Sequence, residues 1–255
     1  MPPPQPRTLA ENAGLAYPGV FLAAAFIVQS RSARRMLAAH NPTGRPNADV
    51  LRPYVGAADL ARPRGRWVIV FPPESSAAEM ALYLAPFRLL QRRLRDWRKF
   101  SRPLTQAGAA LLTALAKRDR FLVTPLDTRQ PAFTWLESPA LPDDSLLVVA
   151  RDDDFTRGIL HSRIFSVWWR HQSASGVPTF AVESFPFPWP PTMPLHALSS
   201  VQEEHRHAIA RASRQGNSDE LNCAVAAAYG WAPDLPETGI LEHLLIAFRS
   251  RIAAN

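Results

Sequence analysis

The chain has 255 residues, 47% of them hydrophobic, a formal net charge of +7 and a sequence pI of about 10.4. That supplies enough apolar side chain for a packed core and excludes a disordered polymer. Arginine accounts for 27 of the 29 basic residues, with only Lys99 and Lys117 beside it. Arginine forks onto phosphate and guanine edges, so a polyanion partner stands next to plain compositional bias as its explanation. The single cysteine, Cys223, excludes an internal disulfide and a Cys-based zinc cluster, and suits a reducing, cytoplasmic setting. The apolar run Val20–Val28 is too short to span a bilayer. Arg7 and Glu11 precede it and no small-residue cleavage site follows, which argues against a signal peptide. No membrane partner is expected.

Taken in order, the proline-rich start reads as a disordered tail over residues 1–13. Val20–Gln29 is expected as a strand, and Ser30 or Ser32 can cap a short helix through Ala39. Asn41-Pro-Thr-Gly-Arg-Pro46 is a turn cluster. An apolar segment beginning at Val50 then carries Pro53, Tyr54, Gly56 and Asp59. Arg62-Pro-Arg-Gly-Arg66 is a basic turn feeding Trp67–Phe71, a buried strand by its apolar continuity. Ser76–Phe100 is helical, with a restart or kink at Pro86. Beyond that proline the polar side is basic. Arg88, Arg92, Arg95 and Lys99 fall at four- and three-residue steps on one face, with Arg98 close by and Asp96 as the one carboxylate among them. Like charges at such spacing oppose an isolated helix by roughly 0.2–0.5 kcal/mol per pair, which a polyanion would relieve.

Thr105–Lys117 is a second helix. Phe121–Pro125 and Ala132–Leu136 should pair as a hairpin, and Leu146–Ala150 is another buried strand. Asp152–Asp154 reads as a helix cap rather than a metal site, because carboxylates at a helix start meet free N–H groups. The helix 155–171 buries Ile159, Leu160, Ile164, Val167 and Trp168. His161 and His171, like His205 and His207, lack metal-ligand spacing, so no metal is expected. Phe185-Pro-Phe-Pro-Trp-Pro-Pro191 is extended, as a connector packing aromatics on the core or as a docking platform. Leu195–Arg214, Asp219–Tyr229 and Thr238–Ala253 are helices, and Cys223 is expected among their buried residues. The fold class is α+β: a mixed β-sheet domain with packed helices over 14–184, a linker over 185–194, and a small all-α domain over 195–255.

Several stretches together resemble the target-recognition and C-terminal helical regions of the MmeI-like family, which are type II restriction-modification enzymes with DNA adenine methyltransferase activity. They are Val50–Asp59, Arg66–Phe71, Tyr83–Phe87, Phe121–Pro125, Pro142-Asp-Asp144, Arg151–Ser162, Phe185–Pro191 and Leu221–Trp231. The last three are the most specific. The chain departs from the family where the basic stretch at Trp97–Pro103 is short. It departs again after Thr124-Pro125, where Arg129 alone keeps a basic character. The Gly-rich loop for S-adenosylmethionine and the Asn/Asp-Pro-Pro-Tyr/Phe motif that holds a flipped adenine are both missing.

The resemblance implies a DNA specificity subunit of a split adenine methyltransferase. A separate catalytic chain would bring S-adenosylmethionine, and double-stranded DNA would be the shared partner. No catalytic residue and no bound cofactor are expected in this chain. Expected DNA contacts are Arg62, Arg64, Arg66, Arg88, Arg92, Arg95, Arg98, Lys99, Arg129 and Arg163. The alternative is a protein-interaction or regulatory module that no longer reads DNA and binds through the aromatic-proline stretch and the helical tail.

Overall fold

A computed structural model describes residues 7–72, 75–94, 104–172 and 178–254. By contacts the chain forms two compact units: one from the described residues of Met1–Tyr17, Arg120–Trp135 and Leu147–Asn255, the other from Pro18–Asp119 and Leu136–Leu146. The architecture is α+β, with two four-stranded sheets among the described residues rather than one.

In the unit centred on residues 18–119, strands β2 (Ile27–Gln29), β4 (Arg66–Ile69), β3 (Leu51–Val55) and β7 (Leu141–Pro142) lie side by side in that order. Strand β4 pairs antiparallel with β2 and β3, and β3 pairs parallel with β7, so this sheet is mixed. Period-two alternation places Val28, Leu51 and Ile69 on one face, where they share a core with Phe71, Met80 and Leu90. The long strand expected at Val20–Gln29 is instead a 3-10 turn at Ala24–Phe26 followed by the short β2. Helix α1 (Ser30–Ala38) follows, then α2 (Ala57–Ala61), α3 (Ala77–Ala81) and α4 (Leu84–Arg93). Ser76 caps α3 and Glu79 answers it, a reciprocal cap that fixes the helix start. Pro86 sits in the first turn of α4, where a missing N–H costs nothing, so it starts a helix rather than kinking one. Helix α5 (Gln106–Leu115) is capped by Thr105.

The other unit contains the sheet β1 (Ala16–Pro18), β8 (Leu146–Val149), β5 (Arg120–Pro125), β6 (Thr134–Glu137), in that order. All four residues of β8 are buried, as its unbroken apolar run requires. Helices α6 (Asp154–His161), α7 (Arg163–Gln172) and α8 (Pro178–Glu183) cover the core with α9 (Ser200–Gln215), α10 (Ser218–Tyr229) and α11 (Glu237–Ala254).

Several expectations change here. The helix expected over 155–171 is two helices. Ser162 leaves helical geometry (φ −73°, ψ 157°), its Oγ accepts from the Phe165 N–H, and Asn222 Oδ1 accepts from the Arg163 N–H at 2.8 Å. The break is thus capped by a side chain from α10, 59 positions away, which local pattern could not reveal.

Residues 7–13 are not a free tail. Leu9 and Asn12 are fully buried, and Asn12 donates to the carbonyls of Glu183 and Phe185. Residues 1–6 lie outside the described residues. Helices α9–α11 share one hydrophobic core with α6, α7 and the Phe185–Trp189 stretch, so the contact division does not follow the segments 14–184, 185–194 and 195–255. Cys223 is exposed, because α10 buries the face of Leu221, Val225 and Ala226 instead.

The three most specific family-like stretches meet in this core. Phe155 stacks on Trp189 with ring centroids 5.0 Å apart and planes 11° from parallel. The Tyr229 hydroxyl donates to the Pro186 carbonyl at 2.9 Å, and Trp168 Nε1 donates to the Ala181 carbonyl. Phe185 and Phe187 are fully buried. The connector packing of this stretch follows from its composition, since its rings bury large apolar area and its prolines need no N–H partner.

Gly158 marks a close approach of α6 to α9. A Cβ there would lie 2.7 Å from Ile209 Cγ2 and 3.2 Å from the Ile209 carbonyl. Alanine favours a helix by about 1 kcal/mol over glycine, but overpacking typically costs about 1–3 kcal/mol. Neither a β-branched methyl nor a backbone carbonyl can move aside alone. Gly158→Ala is therefore expected to lose net stability, about 1–2 kcal/mol, read as the shift in a urea unfolding midpoint.

Candidate nucleic-acid interface

The basic turn grows out of a polar knot in the residue 18–119 unit. Gly56 begins α2, and Asp59 reaches back from the third helical position to accept the Gly56 N–H at 2.9 Å. The same carboxylate accepts the Arg64 N–H at 3.0 Å. Arg66 Nη2 then bridges Asp59 at 2.5 Å and Asp143 at 2.7 Å. Its guanidinium also lies 5.1 Å from the centre of the Tyr54 ring. The Tyr54 hydroxyl donates to the Val20 carbonyl at 2.7 Å. Burial, reinforced by Asp143 and Asp144, pushes the Tyr54 phenol up to about 12. Asp143 in turn holds the amide and hydroxyl of Ser145.

Three separated family-like stretches, Val50–Asp59, Arg66–Phe71 and Pro142–Asp144, therefore converge on one guanidinium. Arg66, expected as a phosphate contact, is held in an internal bridge by two carboxylates. The turn itself is pinned at its far end: Gly65 takes a left-handed φ of 65° and its carbonyl accepts from Ser30 Oγ.

Arg62 and Arg64 are exposed on that turn. Arg88 and Arg92 are exposed four residues apart on α4, whose Pro86 and Leu90 are buried. Arg93 is used internally, donating to the carbonyls of Ala25 and Ile27. The expected contacts Arg95, Arg98 and Lys99 lie outside the described residues.

Arg129 and Arg163 belong to the other unit, where both line a cleft of about 480 Å³ with His161, Ser166, Arg170 and Asn222. Glu237 also lines it and pairs with Arg170 at 2.7 Å. Sequence reasoning missed Arg170 and Glu237. Arg163, Ser166 and Arg170 stand at i, i+3 and i+7 on α7, a periodicity that could have grouped them. The facing Glu237 comes from a distant helix and leaves no local signal. His161 faces the cleft with an exposed edge, and its Nε2 meets the Phe133 carbonyl at 2.7 Å. Desolvation lowers its pKa, aided by Arg157 and opposed by that carbonyl, so it is neutral near pH 7.

The aspartates at 152–154 include the expected cap. Asp153 accepts from the Thr156 N–H at 2.7 Å and pairs with Arg151, while Asp154 takes Arg120 and Arg214. Among the described residues no group of three or more His, Cys, Asp or Glu side chains could hold a metal ion. Among them, too, no helix is long and apolar enough to cross a membrane.

A solved structure of the type IIL restriction-modification enzyme MmeI in complex with DNA has the same fold, with a TM-score of 0.58. The likeness covers 93% of this chain and 35% of that chain, at 14% identity. No family model and no curated protein matches the chain.

The Arg66 knot carries a pH dependence. Burial raises the Asp59 carboxyl, but hydrogen bonds from Arg66 and from the Gly56 and Arg64 amides outweigh it and leave the pKa below the ordinary value. A depressed carboxylate contributes stability above its unfolded pKa of about 4 and loses it as pH falls through the folded value. Asp59→Asn is expected to cost about 2–3 kcal/mol at pH 7. The gap from wild type should close in acid, as measured by chemical denaturation across a pH series.

Proposed function

We propose that this chain is the DNA sequence-recognition subunit of a split, adenine-specific methyltransferase or restriction-modification-like system. The observation that carries the reading is the extent of the fold likeness. Nearly the whole chain corresponds to about one third of a DNA-bound restriction-modification enzyme. The exposed arginines on α4 and on the turn 62–66 are in keeping with it, since phosphate contacts position a protein on duplex and a few side chains specify sequence. Chemistry would come from a separate chain that binds S-adenosylmethionine and methylates adenine N6. That chain would dock on the C-terminal helices, where Val201 and Ile246 are 60% and 58% exposed. The protein-interaction alternative keeps the helical tail but not the aromatic-proline stretch as a surface, because Phe185, Phe187 and Trp189 are packed in the core.

Two measurements test this. Combined with a separate methyltransferase chain that serves as its catalytic partner, the protein should give site-specific methylation that the catalytic chain alone does not. Equal methylation with and without it would sink the proposal. Separately, Arg88→Glu with Arg92→Glu should weaken duplex binding about tenfold or more and reduce the slope of log affinity against log salt by roughly 2. Gel shifts over a salt series read both.

A further inference from the structure

The cleft that holds Arg129 and Arg163 has more positive than negative charge. Three arginines and one glutamate line it, and His161 adds no charge near neutrality. Neither Arg129 nor Arg163 makes a side-chain hydrogen bond or ion pair among the described residues. Its volume is within the roughly 300–1,000 Å³ that small-ligand sites span. The carboxylate of Glu237 lies on Arg170 as the oxygens of an incoming anion would, and Arg170 and Arg163 hold its pKa below the usual range, so it stays charged. Both partners of that pair are about half exposed, at 48% and 51%, and such solvent-screened pairs contribute little and yield readily.

We propose that this cleft is a phosphate-anion site, and that Glu237 is its built-in competitor. An incoming phosphate takes Arg129 and Arg163 first. It then displaces Glu237 from Arg170, whose planar fork matches phosphate oxygens two at a time. The amide nitrogen of Asn222, whose Oδ1 is committed to the Arg163 N–H, supplies a neutral donor at the rim, whereas the Ser166 hydroxyl already donates to the Ser162 carbonyl. Two sources carry this chemistry: the backbone phosphodiester of a bound duplex, and a free phosphate ester. The first source rests on the DNA-recognition reading; the cleft itself does not.

The test compares the full chain with Glu237→Gln and Arg163→Gln, titrated with orthophosphate by calorimetry and with a DNA duplex by fluorescence anisotropy. Thermal melts confirm that the variants fold. The proposal expects opposite signs: Glu237→Gln tightens binding and Arg163→Gln weakens it, each by about three- to tenfold. Opposite signs with the duplex alone assign a backbone phosphate. Opposite signs with orthophosphate assign a free phosphate group. Orthophosphate following those signs while no protein binds duplex overturns the DNA reading and leaves the cleft assignment standing. Indistinguishable behaviour of the three proteins toward both probes, including no binding, overturns the cleft assignment. A shift of both variants in the same direction overturns it as well.

Discussion

Arg66 holds two carboxylates at once, Asp59 and Asp143, and rests on the Tyr54 ring. One guanidinium thereby joins its own strand to the start of a helix seven positions before it and to a turn 77 positions after it in the chain. Charges this withdrawn from water are costly unless each has a partner, and here Asp59 also takes two backbone amides. The arrangement admits little variation around it. Gly56 sits so close to the Asp143 carboxylate, and Gly19 so close to the Asp143 carbonyl, that neither has room for a side chain. The exposed Arg62 and Arg64 are consequently presented by a turn whose base is fixed.

The other unit depends on aromatic packing rather than charge. Trp168, Phe165, Phe185 and Phe187 are fully buried and make edge or tilted ring contacts. The polar ends are satisfied where they would otherwise be stranded, as with the indole of Trp168 on Ala181 and Ser184. The stretches that most resemble a restriction-modification family are those that build this core. Their likeness is one of architecture.

The arginines divide by what stands opposite them. Arg66, Arg93, Arg120 and Arg157 are partnered within the protein, on carboxylates, carbonyls or a hydroxyl, although Arg93 is also exposed. Arg62, Arg64, Arg88, Arg92 and Arg129 are exposed. A net charge of +7 says nothing about that division, because Arg66 and Arg64 stand two residues apart in one basic turn and meet different fates.

Much of the fold was legible locally. Apolar continuity marked β8, and the aspartates marked the cap of α6. The face of α4 that carries Arg88 and Arg92 followed from spacing alone. Tertiary structure decided the rest. It broke the helix at Ser162 with a cap from Asn222, buried Leu9 and Asn12, exposed Cys223, drew Arg66 inward and set Glu237 against Arg170. Periodicity and a local cap such as Asp153 on Thr156 are properties of neighbours along the chain, and so the sequence determined them by itself. A charge's partner and a helix's buried face depend on which distant segments fold against them, and only the packed chain brings those together.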